Sequence, residues 1–253
     1  MPLSQIKANA ISSSASSSNL NIDAGTFFVD SVNNRVGVNT TSPDQALHVK
    51  GPTGQVVIES TETNTNPSVK LRSAVNNRNW ELFCFATNAG EFGIYDGVAQ
   101  ANRFVIDSSG RVMLPYQPAF RAGNTSPDNT LTFASNTKLT FMTFASLNRG
   151  GHYNTSTQRF NAPVTGVYYF DAHLWVDANA SGSLSIRVNG GQPKGGNGDS
   201  VTSNFAATNL PQTHLYLSIV IDLNAGDYVE LFTRNVGWTG YAGHSWWQGY
   251  LLG

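Results

Sequence analysis

The chain has 253 residues, of which 12% are charged, and a formal net charge of -1, so it lacks the basic stripe that would release phosphate counterions; nucleic acid is argued against as a partner. No apolar run approaches the roughly 18 residues of a membrane helix, which argues against membrane insertion. Cys84 is the only cysteine, so no intramolecular disulfide can form and stability has to come from burial or assembly.

Residues 1–20 include Ser12 to Ser18, with six serines in seven positions. Such a tract buries too little apolar surface to offset its ordering entropy, so it reads as a linker or as an arm docked along something larger. In the docking case Leu3, Ile6, Ile11 and Leu20 are its anchors. The first ten residues, MPLSQIKANA, have neither the basic segment nor the apolar core of a secretory leader, so secretion by that route is not expected.

A short hairpin is predicted next, with Phe27-Phe28-Val29-Asp30 turning through Asn33-Asn34 and returning as Arg35-Val36-Gly37-Val38. The theme returns at Arg103 to Leu114, where Phe104-Val105-Ile106-Asp107 turns through Ser109-Gly110 into Arg111-Val112. Two copies do not make a solenoid, but they bracket the segment between them as a module. Asn34 to Pro43, followed by Ala46-Leu47-His48-Val49, resembles the NRVGIGTTSP…LHV element of tailed-phage fibre and other virion proteins. That resemblance implies short hairpins packed around a threefold axis. Between the hairpins, LHVKG, QVVIES, SVKLRS, NWELFCFAT, EFGIYD and RFVID read as strands of a small antiparallel module. Trp80, Leu82, Cys84 and Ala86 share one strand face, where Cys84 is expected to be a buried small hydrophobe rather than a nucleophile.

From about Pro115 a second domain is predicted, centred on Gln158 to Val176. Pro163 marks a strand end and Gly166 a turn with positive φ. The strand beyond Gly166 carries Tyr168, Phe170, Ala172, Leu174 and Val176 on one face, and Val167, Tyr169, Asp171, His173 and Trp175 on the other. A strand loaded on both sides is central and covered twice, and in an all-β domain the second cover is often another subunit. About ten strands without a helical period indicate a jelly-roll sandwich.

The blocks Pro118 to Ala122, His152-Tyr153-Asn154, Arg159-Phe160, Gly166 to Phe170, Gly226 to Val229 and Gly249 to Leu252 are ordered and spaced as in C1q-like domains of the C1q/TNF superfamily. This resemblance covers roughly residues 118–253 and implies a compact homotrimer with its N-termini at the base and loops at the apex. No Gly-X-Y stalk precedes the domain; the fibre-like module stands in that place.

No catalytic pattern is present: His48, His152, His173, His214 and His244 lack metal-ligand spacing, and neither a nucleophile elbow nor a phosphate loop occurs. No cofactor is expected. Structural calcium of the kind found in some C1q-like proteins is left open, with Asp128, Asp177, Asp199 and Asp227 as conceivable ligands. Trp175, Trp238, Tyr241, Trp246 and Trp247 have two readings, subunit interface and glycan stacking. Tyr168, Tyr169, Phe170, Trp175, Tyr250 and Leu252 are assigned to the trimer core or interface, and Trp238, Tyr241, Asn197 and Asp199 to candidate receptor contacts on distal loops.

The expectation is therefore an all-β homotrimer in three parts: residues 1–24 a virion-attachment arm, 25–114 a fibre-like β-module, and 115–253 a C1q/TNF-like knob. Its expected place is the phage virion, as a short head or tail fibre contacting capsid or portal and tail proteins through the arm and host-surface glycan through the knob. The alternatives are a trimeric capsid decoration protein and a secreted C1q-like ligand or lectin.

Overall fold

The computed structural model describes residues 20–22, 26–62, 64–85, 90–126, 130–177, 181–191, 202–206, 212–233 and 238–253. Every regular element among them is a strand. The chain divides into two units, residues 1–71 with 82–90, and residues 72–81 with 91–253. Leu3, Ile6, Ile11, Asn197, Asp199 and Asp128 lie outside the described residues.

The first sheet has the order β1 (Leu20–Ile22), β2 (Phe27–Asp30), β3 (Arg35–Val38), β4 (Leu47–Val49). The predicted hairpin is its centre, with Asp30 opposite Arg35 and Asn34 at φ 55°. Leu20 enters at the edge, its backbone opposite Val29. β4 joins β3 in parallel, the one departure from the antiparallel expectation here.

The second sheet runs β5 (Ser68–Ser73), β6 (Arg78–Cys84), β7 (Phe92–Asp96), β8 (Ala101–Ile106), β9 (Val112–Met113). Two sequence expectations fail in this region. Phe83, not Cys84, is the buried residue of β6, and Cys84 is exposed with Trp80 on the opposite face. Gln55 to Ser60 forms no strand.

Three turns share one device, an aspartate whose carboxylate accepts the backbone N–H groups that the turn leaves open. Asp30 takes Val32 and Asn33 at 3.0 and 3.1 Å. Asp107 takes Ser109 and Arg111, both at 2.9 Å, and then pairs with the Arg111 guanidinium at 2.7 Å. Asp96 does the same with Val98, Ala99 and Arg103. Hydrogen bonds to the ionised form, led by Asn33, Ala99 and Arg111 respectively, hold all three carboxyls below the usual aspartate range. The first and last turns repeat one sequence theme, and the turn at Asp96-Gly97, itself marked in the sequence, uses the same device with a longer spacing to its arginine.

The remaining strands form two facing sheets. One has the order β12 (Phe144–Arg149), β10 (Ala119–Gly123), β20 (Trp238–Leu251), β15 (Gly166–Asp177), β18 (Gln212–Leu223), with β11 (Thr130–Phe133) also paired to β20. The other runs β13 (Tyr153–Asn154), β14 (Arg159–Asn161), β19 (Tyr228–Thr233), β16 (Ser181–Val188), β17 (Thr202–Ala206). Short connections such as 150–152, 162–165 and 224–227 carry the chain from one sheet to the other, as in a jelly roll. The inward face of β15 is sealed, with Tyr168, Phe170, Leu174 and Val176 all 0% exposed. Phe120 stacks on Tyr153 and Phe160 at 4.9 and 5.0 Å and meets the Trp247 ring edge-on at 4.7 Å. Such aromatic packing accounts for the core without disulfides.

Gly166 does not have positive φ; it is the first residue of β15. What restricts it is close approach, since a Cβ there would lie 2.8 Å from the Gly253 carbonyl oxygen and 2.9 Å from Leu251. Gly166→Val is expected to release the Val167 to Gly253 and Leu252 to Val167 hydrogen bonds, 2.8 Å each, and to lower the unfolding free energy by about 1–2 kcal/mol, read as a fall in the urea midpoint. An unchanged midpoint would show that residues 251–253 move aside freely.

Candidate self-association face

The outward side of the β12-β10-β20-β15-β18 sheet collects the polar-edged aromatics. Alternation along β15 places Tyr169, Asp171, His173 and Trp175 there, opposite the sealed core face. Each sits between a residue of β18 and one of β20. Tyr169 lies between Val220 and Tyr250, Asp171 between Ser218 and Gln248, His173 between Tyr216 and Trp246, and Trp175 between His214 and Tyr241. Tyr216, Val220, Tyr250 and Leu252 are 62, 57, 42 and 51% exposed, far more than a lone jelly-roll subunit needs to show.

His173 is the hub. Its ring lies 3.9 Å from Trp246, 4.7 Å from His214 and 4.7 Å from Tyr216 between centroids. His173 Nε2 and His214 Nδ1 are 2.8 Å apart, so one donates and the other accepts, and at most one proton bridges the pair. Burial, then the neighbouring His214 charge, push His173 below the usual histidine range, with Asp171 opposing weakly. Three polar atoms on this face, Asp171 Oδ1, His173 Nδ1 and Trp175 Nε1, are buried without a hydrogen-bond partner among the described residues.

A bulge shapes one end. His173 pairs with Trp246 and Trp175 with Tyr241, so Ala242 to Ser245 of β20 stand opposite Leu174 alone. Ser245 closes this excess, its Oγ accepting from Trp175 N at 3.0 Å and donating to Tyr241 O at 2.7 Å. The bulge leaves His244 against Trp175, with centroids 4.2 Å apart. No local sequence signal marks it beyond the glycines around His244.

The depressed folded value of His173 fixes the sign of a pH effect. Its stabilisation is present above the ordinary histidine range and is lost as pH falls through that range. The thermal midpoint is expected to drop between about pH 7.5 and about pH 5, and to drop less in His173→Gln. Equal slopes in the two proteins, measured by differential scanning calorimetry, would remove His173 as the cause.

The sequence-assigned residues separate by side. Tyr169, Trp175, Tyr250 and Leu252 lie on or beside the outward face, whereas Tyr168 and Phe170 fill the subunit's own core. Adjacent tryptophans split likewise, Trp247 being 1% exposed inside and Trp246 facing out beneath the Arg121 guanidinium at 5.1 Å. Trp238 to Tyr241, expected as a loop, instead begin β20, paired with Thr130 to Phe133 of β11. Tyr241 contacts Trp175 at 5.6 Å, and Trp238 is described by its backbone alone. Among the conceivable calcium ligands, Asp227 is taken up by Asn189 Nδ2 and Asn224 N, both at 2.8 Å, and the described residues contain no cluster of three metal-ligating side chains.

The C1q domain model matches residues 119–252, which takes in both sheets of the jelly roll. Similar solved structures include the globular domain of zebrafish complement 1qA, with 16% identity over 54% of this chain and 98% of that one at a TM-score of 0.41. Eiger TNF from S. frugiperda gives 12% identity over 54% and 93% at 0.43, and murine APRIL at pH 5.0 gives 12% over 54% and 99% at 0.41. No curated protein matches the chain. With the family model spanning more than half its length, the chain belongs to the C1q domain family.

Proposed function

We propose that the protein is a homotrimeric bacteriophage structural protein, a short head or tail fibre whose C1q knob holds three chains together and presents loops to the host surface. C1q/TNF-like domains are generally trimerising or binding modules rather than enzymes, and a homotrimer is consistent with that family. The observation that carries the self-association is the outward face around His173. It combines exposed Tyr216, Val220 and Tyr250 with the unpartnered polar atoms of Asp171, His173 and Trp175, a surface that a second subunit completes. The virion assignment is supported by the Asn34 to Pro43 resemblance, whose hairpin is formed, and by the serine-rich segment that precedes it. On this reading residues 1–24 attach, 25–114 form a base and 115–253 form the knob, and three knobs turn weak host contacts into avidity.

Sedimentation of the full chain tests the trimer, and electron microscopy of assembled particles tests the placement. Residues 1–24 against portal or tail protein is the expected result. The same residues clamped to the major capsid protein at threefold positions would replace the fibre with a decoration protein. Full-length trimer that neither binds host cells nor blocks infection would remove the receptor role.

A further inference from the structure

A second interaction surface lies away from the knob, at Gln55-Val56-Val57-Ile58-Glu59-Ser60. Three consecutive β-branched residues favour a strand, yet the segment makes none. Among the described residues, Gln55 to Glu59 take part in no hydrogen bond. In extended geometry Val56 and Ile58 face one way and Val57 the other. Their exposures are 65, 49 and 82%, so neither side is covered. Five of the six residues of β5 (Ser68–Ser73) are exposed as well, with Val69 at 42% and Leu71 at 57%. β5 ends its sheet, leaving one row of backbone donors and acceptors open.

We infer that Gln55–Ser60 adds as a parallel strand to the open edge of β5 in a neighbouring copy of the chain, an inference that rests on the homotrimer proposed above. The two sequences select the direction. Aligned in parallel, Val56 meets Val69, Ile58 meets Leu71, and on the other face Glu59 meets Arg72, which joins apolar to apolar and acid to base. Antiparallel alignment that keeps both apolar pairs sets Glu59 against Ser68 and Gln55 against Arg72, losing the charge match. Direction then selects the partner. Parallel neighbours need a crossover of about a dozen residues or more, and only residues 61–67 separate the segment from its own β5. That connection is also folded on itself, Ser60 Oγ meeting Thr65 Oγ1 and Thr65 Oγ1 donating to Glu62 O at 3.0 Å. A second copy has no such restriction, and trimerisation through the knob holds its β5 at an effective concentration in the millimolar range.

Full-length protein tests this in two ways. Hydrogen exchange on the wild-type chain should show the amides of residues 56–59 slowed at least about 100-fold relative to unstructured peptide. In a Cys84→Ser background, the double variant Ile58→Cys with Leu71→Cys should, on mild oxidation, give covalent dimers and trimers on a non-reducing gel. Free exchange at residues 56–59, or a disulfide confined to single chains, overturns the inference. Native mass of the same samples separates the two levels. A trimer with free amides defeats only the strand addition, whereas a monomer defeats the trimer reading beneath it.

Discussion

Gly249→Val is expected to cost the knob about 3 kcal/mol or more, read as a large fall in the urea midpoint and in soluble yield. Gly249 lies on β20 between Phe120 of β10 and Phe170 of β15. The absence of a side chain lets the Phe170 ring lie across its backbone. A Cβ at this position would sit 2.3 Å from Phe170 Cδ1, 2.7 Å from Cε1 and 2.9 Å from the Tyr169 carbonyl oxygen. The ring has nowhere to go, because it is 0% exposed and packed against Phe160, Tyr168 and Trp247. Alanine already introduces the conflicting atom, so Gly249→Ala should lose roughly 1–3 kcal/mol and valine more. A valine variant with the wild-type midpoint would mean that this core repacks without cost.

Glu230→Ala is expected to be comparably damaging for an electrostatic reason. Glu230 is 2% exposed on β19 and is the shared acceptor for Lys138 Nζ and for Arg159 Nε, the latter at 2.7 Å. Arg159 also lies over the Tyr228 ring at 4.0 Å, and Lys138 donates to the Thr157 carbonyl. Removing one member of a buried ion pair leaves its partners uncompensated, at about 3–5 kcal/mol. The lower end is expected, because the Arg159 side chain is 37% exposed and recovers some hydration. Burial pushes the Glu230 carboxyl up, but the hydrogen bonds from Lys138 and Arg159 outweigh it and the net shift is downward. The carboxylate therefore stabilises above the ordinary glutamate range and ceases to as pH falls through the lowered value. The gap between wild type and Glu230→Gln, measured by denaturant titration, should narrow on acidification. A constant gap would show that packing, not charge, sets it.

Periodicity and turn chemistry made the architecture legible. The two loaded faces of β15, the hairpin at Asn33-Asn34 and the order of the short blocks from Pro118 to Leu252 each follow from local patterns that long-range packing left intact. Chain-local reading failed where the deciding contact is distant. Gly166 looks like a turn glycine because its neighbours are Pro163 and Thr165, but the Gly253 carbonyl is what excludes a side chain. The pattern of β6 is ambiguous because apolar residues occupy both faces, and only the sheet determines that Phe83 is covered and Cys84 is not. The outward aromatics were identifiable as a group, but separating Trp246 from Trp247 required the register. The His173–His214 contact joins residues 41 apart through β15 and β18 and has no sequence signature.

The position of β20 also sets an order of events during synthesis. The aspartate turns at Asp30, Asp96 and Asp107 close within seven residues or fewer and need nothing downstream. The large sheet instead receives β20 between β10 and β15, joining Phe120 to Gly249 and Phe170 to the same residue. Until residue 251 has left the ribosome, β10 and β15 have a missing strand between them and the Phe120 and Phe170 rings lack Trp247. The knob therefore cannot close until β20 is present, whereas the three turns depend only on contacts local in sequence. The outward face around His173 also draws on β20 through Trp246, Gln248 and Tyr250, so the surface offered to another subunit is completed by the same last strand that closes the core.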